Sequence, residues 1–496
     1  MAKRTAIIDI GSNSARMIII ERTSRFGFYL IEEVKSRVRI SEGAYENGGL
    51  LQPHAMERAF NAIKEFLNIA KALKSRKILC VATSALRDAP NKNVFLNRVK
   101  KELKLNIKVI DGRKEALLGA IAASNLLPIN SGITIDIGGG STELALIKDS
   151  KIIETVSLNL GTVRLKELFF DKNLDFKEAI SFIQEELKKV PKTFIEHTAI
   201  GIGGTIRALS KSIMQKNEYP LDKLHGFEYE LNSEKKYLEK LIFAPTGKLK
   251  KYYIKKDRYD TIKEGVLIFV EVLKYIKAQK VITSGVGVRE GFFLYDLLRN
   301  TNFSLPKNFN PSVKSLLDRF CLNKKASRCF YKNASKIYNT LFEEFDKKRE
   351  YEKHLLIASK LSNIGIKIDF YEHHKHSSYI ILNDLEYGVT HKDIVLISTL
   401  VRFHKKKLPG NSFIKDFKKL LPPIHILNWL SFILTLAEVI NKDMSCPKFE
   451  IEYKKGVLKI KSDSLLYLAK EEIKSLEKPA PFAIIFEKPQ SDKATK

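Results

Sequence analysis

The chain has 496 residues, 44% of them hydrophobic, and a formal net charge of +29. This length predicts about three or four domains, and the apolar content excludes an intrinsically disordered chain. The charge is spread as +16 over residues 1–300 and +13 over residues 301–496, which favours polyanionic ligands; a lysine-rich solvated surface is the alternative interpretation.

Cysteine usage and hydropathy predict the compartment. The four cysteines, Cys80, Cys321, Cys329 and Cys446, show neither CxxC spacing nor disulfide-rich density, so we expect reduced thiols. The N-terminus enters a strand pattern with no signal peptide. No apolar run reaches the ~18 residues of a membrane helix; residues 424–440 come nearest but contain Glu438 and a histidine. A soluble, cytoplasmic protein without a membrane partner is expected.

The first 125 residues alternate strand and helix patterns. They are predicted to form a β-meander over residues 1–34, a basic extended stretch at 37–43, a helix at 53–73, a strand at 77–82 ending in the hydroxyl-rich segment 83–89, a strand at 107–110, a turn at 111–113 and a helix at 114–125. Residues 126–131 are expected to join this lobe to the next.

Residues 136–143 read Asp-Ile-Gly-Gly-Gly-Ser-Thr-Glu and lie between strand patterns at 132–137 and 144–148. Three consecutive glycines add no side chain for packing, but they form a tight turn whose bare N–H groups can approach an anion. The acidic residue ending the first strand suits a divalent cation that accompanies a phosphate. The alternative is an ordinary glycine-rich hairpin turn.

The start of the chain repeats this pattern. Residues 6–20 superimpose on residues 133–147, which aligns Asp9 with Asp136, 127 positions later, and Gly11 with Gly138. Two loops of the same design, each leading one half, suggest two related lobes that face each other across a cleft. The pairing favours a phosphate site over a simple turn.

Further strand–glycine–helix junctions follow, and after them the sequence changes to mainly helical patterning. A strand is predicted at 152–158, a helix start at 161–164, and strand–glycine junctions at 199–206 and 281–291. Such junctions either hold phosphates or allow close packing of helix on strand. A Pro/Asn-rich linker at 305–311 precedes helical patterning to about residue 443, and strands are predicted at 449–460 and 481–488.

Together these motifs resemble the exopolyphosphatase / guanosine pentaphosphate phosphohydrolase (Ppx/GppA) family, in its long bacterial form. The matching stretches, in the family's order, are residues 8–14, 83–87, 112–116, 136–143, 203–206 and 284–291. The resemblance implies an α/β fold of two actin-like (ribonuclease H-like, ASKHA superfamily) lobes with a cleft, followed by a helical HD-like domain and a small α+β C-terminal segment. The implied domains are 1–125, 126–300, 301–445 and 446–496.

The resemblance also implies a reaction and its residues. It implies Mg²⁺-assisted hydrolysis that releases the terminal phosphate of inorganic polyphosphate, the 5′-phosphate of guanosine pentaphosphate, or both. Glu115 and Arg87 are the implied catalytic residues, and the metal would be held by Asp9, Asp136 and Glu143. The implied phosphate-binding residues are Gly11, Ser12, Asn13, Ser14, Gly138, Gly139, Gly140, Ser141, Thr142, Gly204 and Thr205.

Glu115 is the residue for which the resemblance implies the most specific role. Its residue type and place at a helix start indicate, on their own, a carboxylate that complements the helix dipole; the resemblance makes it the base that activates water. Many family members have a second acid where Lys114 stands. Two other functions stay open: an ATP-dependent kinase of the same superfamily, and a non-catalytic polyanion-binding protein.

The histidines of the third domain resemble motifs of the HD-like region without its metal pair. Residues 361–365 lack the His-Asp ligands, although His373, His374, His376, His391 and His404 are densely spaced and could suggest a metal. A non-catalytic domain that helps to hold a polyanion is expected. A homodimer is plausible, and no specific nucleic-acid partner is expected because no RNA-binding signature occurs.

Overall fold

The computed structural model describes residues 3–44, 47–172, 175–405 and 407–487. The chain divides into two compact units, Met1–Phe309 and Asn310–Lys496. The first unit contains two sheets, and the second is mostly helical. The finer domain boundaries at residues 126, 301 and 446 remain predictions.

The first sheet has the strand order β3-β2-β1-β4-β5. Its strands and helices are β1 (Lys3–Ile10), β2 (Ala15–Arg22), β3 (Phe28–Ser36), α1 (Pro53–Ala72), β4 (Lys77–Ala82), α2 (Ser84–Asp88), α3 (Lys92–Leu103), β5 (Lys108–Val109) and α4 (Gly112–Leu126). β1 to β3 pair antiparallel, whereas β4 and β5 run parallel to β1. Ala6, Ile7 and Ile8 are fully buried, as expected for a central strand covered on both faces.

The second sheet repeats this arrangement in the order β8-β7-β6-β9-β11-β10. Its elements are β6 (Gly132–Ile137), β7 (Thr142–Lys148), β8 (Lys151–Leu158), α5 (Thr162–Leu165), α6 (Phe176–Leu187), β9 (Thr198–Ile202), α7 (Gly203–Lys216), β10 (Glu228–Glu230), α8 (Leu231–Ile242), α9 (Ile262–Tyr275), β11 (Lys280–Thr283) and α10 (Val288–Leu297). A π-helical turn spans Lys166–Phe170, and 3₁₀ turns span Thr246–Tyr252 and Lys256–Arg258. Each sheet has an antiparallel triplet followed by strands parallel to its central strand, and in the second sheet β10 adds an antiparallel edge. The prediction of two related α/β lobes is confirmed.

Helix α4 follows the first sheet in sequence but packs on the second sheet. It packs against β7 and β8 of the second sheet and against α10. The contact with α10 is close because Gly291 has no side chain: a Cβ there would lie 1.9 Å from the carbonyl oxygen of Leu118. Helix α4 is therefore positioned by the second sheet and by α10.

The stretch at residues 37–43 was predicted to be extended, and this is wrong for its second half. Residues 40–44 form turns, with Arg39 at φ 46° and Gly43 at φ 69°. The Ser41 hydroxyl donates to the carbonyl oxygen of Ser12. The turn thus supports the first glycine loop, a tertiary contact that residue patterning does not reveal.

The second unit is a helical domain followed by a small α+β segment, as predicted, and the strands of that segment form one three-stranded sheet. Its elements are α11 (Pro311–Phe320), α12 (Lys324–Leu341), α13 (Glu352–Leu361), α14 (His373–Asp384), α15 (His391–Arg402), α16 (Asn411–Phe417), α17 (Ile424–Ile440), β12 (Glu450–Lys454), β13 (Val457–Lys461), α18 (Tyr467–Ile473) and β14 (Ala483–Glu487). 3₁₀ turns span Phe342–Glu344 and Ile364–Lys367. α17 is apolar nearly all round and lies in the core, as such helices do.

Two local predictions for this unit need correction. The strand predicted at 449–460 is a hairpin of β12 and β13, because Lys455 and Gly456 adopt positive φ and reverse the chain. The strand predicted at 481–488 corresponds to β14, with Lys488 outside the described residues. Among the described helices, none combines the length and apolar content needed to cross a bilayer.

The expectation of four reduced cysteines is wrong for two of them. Cys329 on α12 and Cys446 after α17 form a disulfide with their Cα atoms 5.7 Å apart. They are 117 residues apart in sequence, so only the packing of α12 on α17 brings them together. Cys80 and Cys321 are free thiols.

Candidate active site

The two glycine loops have the same local structure and touch each other. In the first loop (residues 11–14) the Gly11 amide donates to the Ser14 carbonyl at 3.1 Å, and in the second (residues 138–142) the Gly138 amide donates to the Ser141 carbonyl at 2.9 Å. A Cβ on Gly139 would lie 3.0 Å from the Cβ of Ser12. The glycine therefore permits the contact, and the loops form opposite walls of one site.

A cavity of about 160 Å³ lies between these loops. Of the residues predicted for the site, it is lined by Asp9, Gly11, Ser12, Asn13, Ser14, Glu115, Asp136, Gly138, Gly139, Ser141, Gly204 and Thr205. The other four lie beside it and not in its wall: Arg87, Gly140, Thr142 and Glu143. Residues from four separate sequence segments thus converge on one small volume.

Three of the four residues outside the wall hold the second loop from behind through hydrogen bonds. The Thr142 hydroxyl donates to the Leu160 carbonyl at 2.7 Å, and the Gly140 carbonyl accepts from Arg164 Nε at 2.9 Å. A carboxylate oxygen of Glu143 accepts from the Ser157 hydroxyl at 2.9 Å. These contacts hold the back of the second loop and leave its Gly138, Gly139 and Ser141 facing the cavity.

Glu115 lies in the first turn of α4 and reaches the cavity wall. The Asp111 side chain accepts from the Lys114 amide at 2.7 Å and so begins the helix at this position. Glu115 Oε2 accepts from Arg87 Nη1 at 3.1 Å, and the Arg87 guanidinium also lies 3.4 Å from Ser141 Oγ. Arg87 therefore links the carboxylate of Glu115 to the second loop.

Lys114 takes no part in this wall. Its ammonium lies over the ring of Tyr295, 3.4 Å from the ring centroid. Lys114 is thus directed to an aromatic neighbour, and Glu115 is the carboxylate of α4 that lines the cavity.

Burial perturbs the acids of the site. It raises the pKa of Glu115 well above the ordinary value of 4.5, and the nearby Glu143 carboxylate adds to the rise while Arg87 opposes it. Burial also raises the pKa of Asp136 to about 6 and raises that of Asp9. A carboxyl group whose pKa is raised toward neutrality is a better proton acceptor when ionised.

Asp9 and Asp136 fit a divalent cation. They are the second-last residues of the corresponding strands β1 and β6, and the charge of Asp9 contributes to the raised pKa of Asp136. Asp9 Oδ1 is buried and has no hydrogen-bond partner among the described residues. Buried carboxylate oxygens without a donor are the ligand type that Mg²⁺ prefers.

Sequence reasoning missed four arginines that line the cavity: Arg16, Arg207, Arg258 and Arg289. Arg207 Nε donates to the Ser284 carbonyl at 3.0 Å, and Arg289 pairs with Glu33 at 2.7 Å. Burial, together with the other arginines, lowers the pKa of Arg16 to about 10, which still leaves it cationic at neutral pH. The four positive charges suit a substrate with several phosphates.

A sequence signal existed for three of these arginines. Arg16, Arg207 and Arg289 each follow a glycine motif of the chain within five residues, at the start of a strand or helix that leaves a loop. Arg258 lies in a 3₁₀ turn with no such motif. Its guanidinium rests on Gly204, where a Cβ would lie 2.6 Å from Nη2.

Two family models match the sequence. Residues 18–300 match the model of the Ppx/GppA phosphatase family, and residues 310–473 match that of Ppx/GppA phosphatase, domain III. A guanosine-5′-triphosphate,3′-diphosphate pyrophosphatase of Pseudoalteromonas translucida is 26% identical over 473 residues, covering 92% of each chain. The protein of the same name from Pseudoalteromonas atlantica is 25% identical over 90% of this chain and 88% of its own.

Two solved structures each match 61% of the chain. The Aquifex aeolicus Ppx/GppA family member is 30% identical, with a TM-score of 0.52 over 61% of this chain and 99% of its own. An exopolyphosphatase from Cytophaga hutchinsonii shares the fold at 23% identity, with a TM-score of 0.55 over 61% of this chain and 100% of its own. The family models together cover most of the sequence, and the chain therefore belongs to the Ppx/GppA phosphatase family.

Proposed function

We propose that the cavity between the two glycine loops hydrolyses a terminal phosphoanhydride bond of guanosine pentaphosphate or of inorganic polyphosphate. Membership of a phosphatase family and relatives named for hydrolysis of guanosine pentaphosphate support the reaction class. The observation that carries the proposal is the contact between the two loops, with Glu115 in the wall of the cavity that they enclose.

The loops would hold the terminal phosphate. The backbone N–H groups and small side chains of residues 11–14 and 138–141 surround the cavity, a donor set suited to phosphate oxygens. Arg207 and Arg289 supply positive charge on the same cavity. The site thereby meets two requirements of phosphoanhydride hydrolysis, a fixed phosphorus atom and neutralised charge.

Glu115 would activate the attacking water. In the proposed step the water oxygen bonds to the terminal phosphorus, and one water proton passes to the Glu115 carboxylate. The bond from phosphorus to the bridging oxygen breaks, and its electron pair leaves with the shortened substrate. Arg87, which donates to Glu115 Oε2, orients this carboxylate.

Asp9 and Asp136 would hold the divalent cation, and Mg²⁺ is the proposed ion. When bound, the cation neutralises part of the charge on the phosphate oxygens. Glu143, whose carboxylate accepts from Ser157, would stabilise the second loop from behind. The bound Mg²⁺ would thus stabilise the ionised form of both buried aspartates and also balance charge on the substrate.

The test is product analysis in ¹⁸O-labelled water. Long-chain polyphosphate and guanosine pentaphosphate are supplied in separate reactions with Mg²⁺. The masses of the released phosphate and of the shortened product are then measured by mass spectrometry. We expect one labelled oxygen in the released phosphate and none in the shortened product. Label in the shortened product, or transfer to an acceptor without labelled phosphate, would reject terminal hydrolysis.

A further inference from the structure

The second unit contains a cluster of ligand-type side chains that the proposed reaction does not use. His373 begins α14, His404 lies just beyond α15, and Glu438 is in the last turns of α17. One ligand atom from each lies within 4.8 Å of the other two. Three segments of the helical domain therefore meet at this point, and both histidines are buried.

The imidazoles are held in the orientation of metal ligands. His373 Nδ1 hydrogen-bonds to the Phe370 carbonyl at 2.9 Å, and His404 Nδ1 hydrogen-bonds to the Val401 carbonyl. A carbonyl only accepts, so each Nδ1 carries the proton and each Nε2 presents a lone pair. Metal-binding histidines commonly donate their second N–H to such an acceptor, which fixes the tautomer.

The second ring nitrogen of each histidine is left without a hydrogen bond. Nε2 of His373 and Nε2 of His404 are both buried and lack a hydrogen-bond partner among the described residues. Unsatisfied buried polar atoms are few in folded proteins and call for an explanation. A cation at the point where the two lone pairs and the Glu438 carboxylate meet would satisfy both nitrogens at once.

The distances between the ligand atoms agree with such a cation. His404 Nε2 lies 3.4 Å from Glu438 Oε2. Ligand atoms of tetrahedral zinc, at about 2.0–2.1 Å from the metal, are roughly 3.4 Å apart.

We propose that His373, His404 and Glu438 form a site for a divalent transition metal of the zinc type, separate from the active site. Nitrogen-rich ligand sets select such metals over magnesium. The sequence lacks the His-Asp pair at residues 361–365, but the structure supplies a carboxylate from α17 instead. The bound ion would connect α14, the end of α15 and α17, and its role would be to stabilise the helical domain.

The experiment uses the full chain after removal of metals with a chelator. Zn²⁺ is titrated in competition with a chromophoric chelator, its content is measured by mass spectrometry, and Co²⁺ is titrated for its visible absorption bands. We expect one zinc per chain, a Co²⁺ spectrum of a nitrogen- and oxygen-ligated ion, and a rise in the melting temperature with zinc. An Asp9→Asn variant should keep this site, which separates it from the proposed magnesium site.

Two ligand variants and a control make the test specific. Glu438→Gln keeps the side-chain volume at a partly exposed position, and His373→Gln removes one nitrogen; each should weaken zinc binding about 100-fold or more. His425→Gln, an exposed histidine on α17, should bind as the wild type does. Failure of the wild type to bind zinc stoichiometrically at micromolar concentration, or equal zinc affinity in all three variants, would overturn the proposal.

Discussion

Gly161 lies directly behind the second glycine loop and gives a sharp test of how that loop is held. The amides of Thr162 and Val163 donate to the carbonyls of Gly138 and Gly139 at 3.0 and 2.9 Å. A Cβ on residue 161 would lie 2.3 Å from the Gly139 carbonyl oxygen and 2.4 Å from the Gly140 nitrogen. Both atoms are backbone, so a Gly161→Ala change cannot be relieved by a side-chain rotation.

The size of the effect follows from these distances. Real Cβ atoms keep at least 3.0 Å from their neighbours, so the loop must retreat by roughly 1 Å, a displacement that costs about 100-fold in rate when it moves a reacting group. This corresponds to about 2.7 kcal/mol of activation free energy. The overpacking itself should lower the free energy of unfolding by about 1–3 kcal/mol. Residue 161 has φ −146°, which alanine adopts, so backbone strain adds nothing.

The assay measures kcat and KM for phosphate release, together with urea unfolding. Gly247→Ala is the matched control, because a Cβ there meets nothing within 4 Å. We expect kcat/KM to fall about 100-fold in Gly161→Ala and to stay unchanged in Gly247→Ala. A folded Gly161→Ala protein with wild-type kcat/KM would refute the claim that this loop positions the reacting phosphate.

Three further predictions concern charge. Because only the ionised Glu115 accepts a proton and burial raises its pKa, kcat/KM should fall as pH decreases through a midpoint well above 4.5; a pH profile flat down to this value would contradict the assignment. Asp9→Asn should raise the Mg²⁺ concentration for half-maximal activity about 10-fold or more, since it removes a ligand; an unchanged requirement in a magnesium titration would exclude Asp9 as a ligand. The KM for long polyphosphate should rise steeply with added salt, by analogy with counterion release from nucleic acid; a flat response would mean that the net charge of +29 is incidental.

The duplicated loops could be predicted from sequence because each loop is formed by consecutive residues with a recognisable pattern. A strand, an aspartate and a glycine turn recur 127 residues apart, and the structure places both turns against one cavity. The strands β4 (Lys77–Ala82) and β6 (Gly132–Ile137) end at the predicted residues. The residues that follow them, Thr83 and Gly138, begin a turn or a helix and so end each strand.

The remaining features depend on contacts between distant segments. Arg258 reaches the cavity from a 3₁₀ turn, and Cys446 meets Cys329 only after α12 packs on α17. The carboxylate near His404 comes from Glu438, in a helix whose sequence is typical of an apolar core helix. The sequence around each of these residues does not indicate which distant residue it will contact in the folded chain.

The most direct measurement of the central claim compares turnover and binding in Glu115→Gln. This change keeps the side-chain volume and removes the proton acceptor, so polyphosphate should bind with near wild-type affinity while kcat falls at least 100-fold, the lower range for loss of a general base. Glu271→Gln, a buried glutamate that pairs with Lys274 outside the cavity, should keep wild-type kcat. A Glu115→Gln enzyme with wild-type kcat would contradict the account.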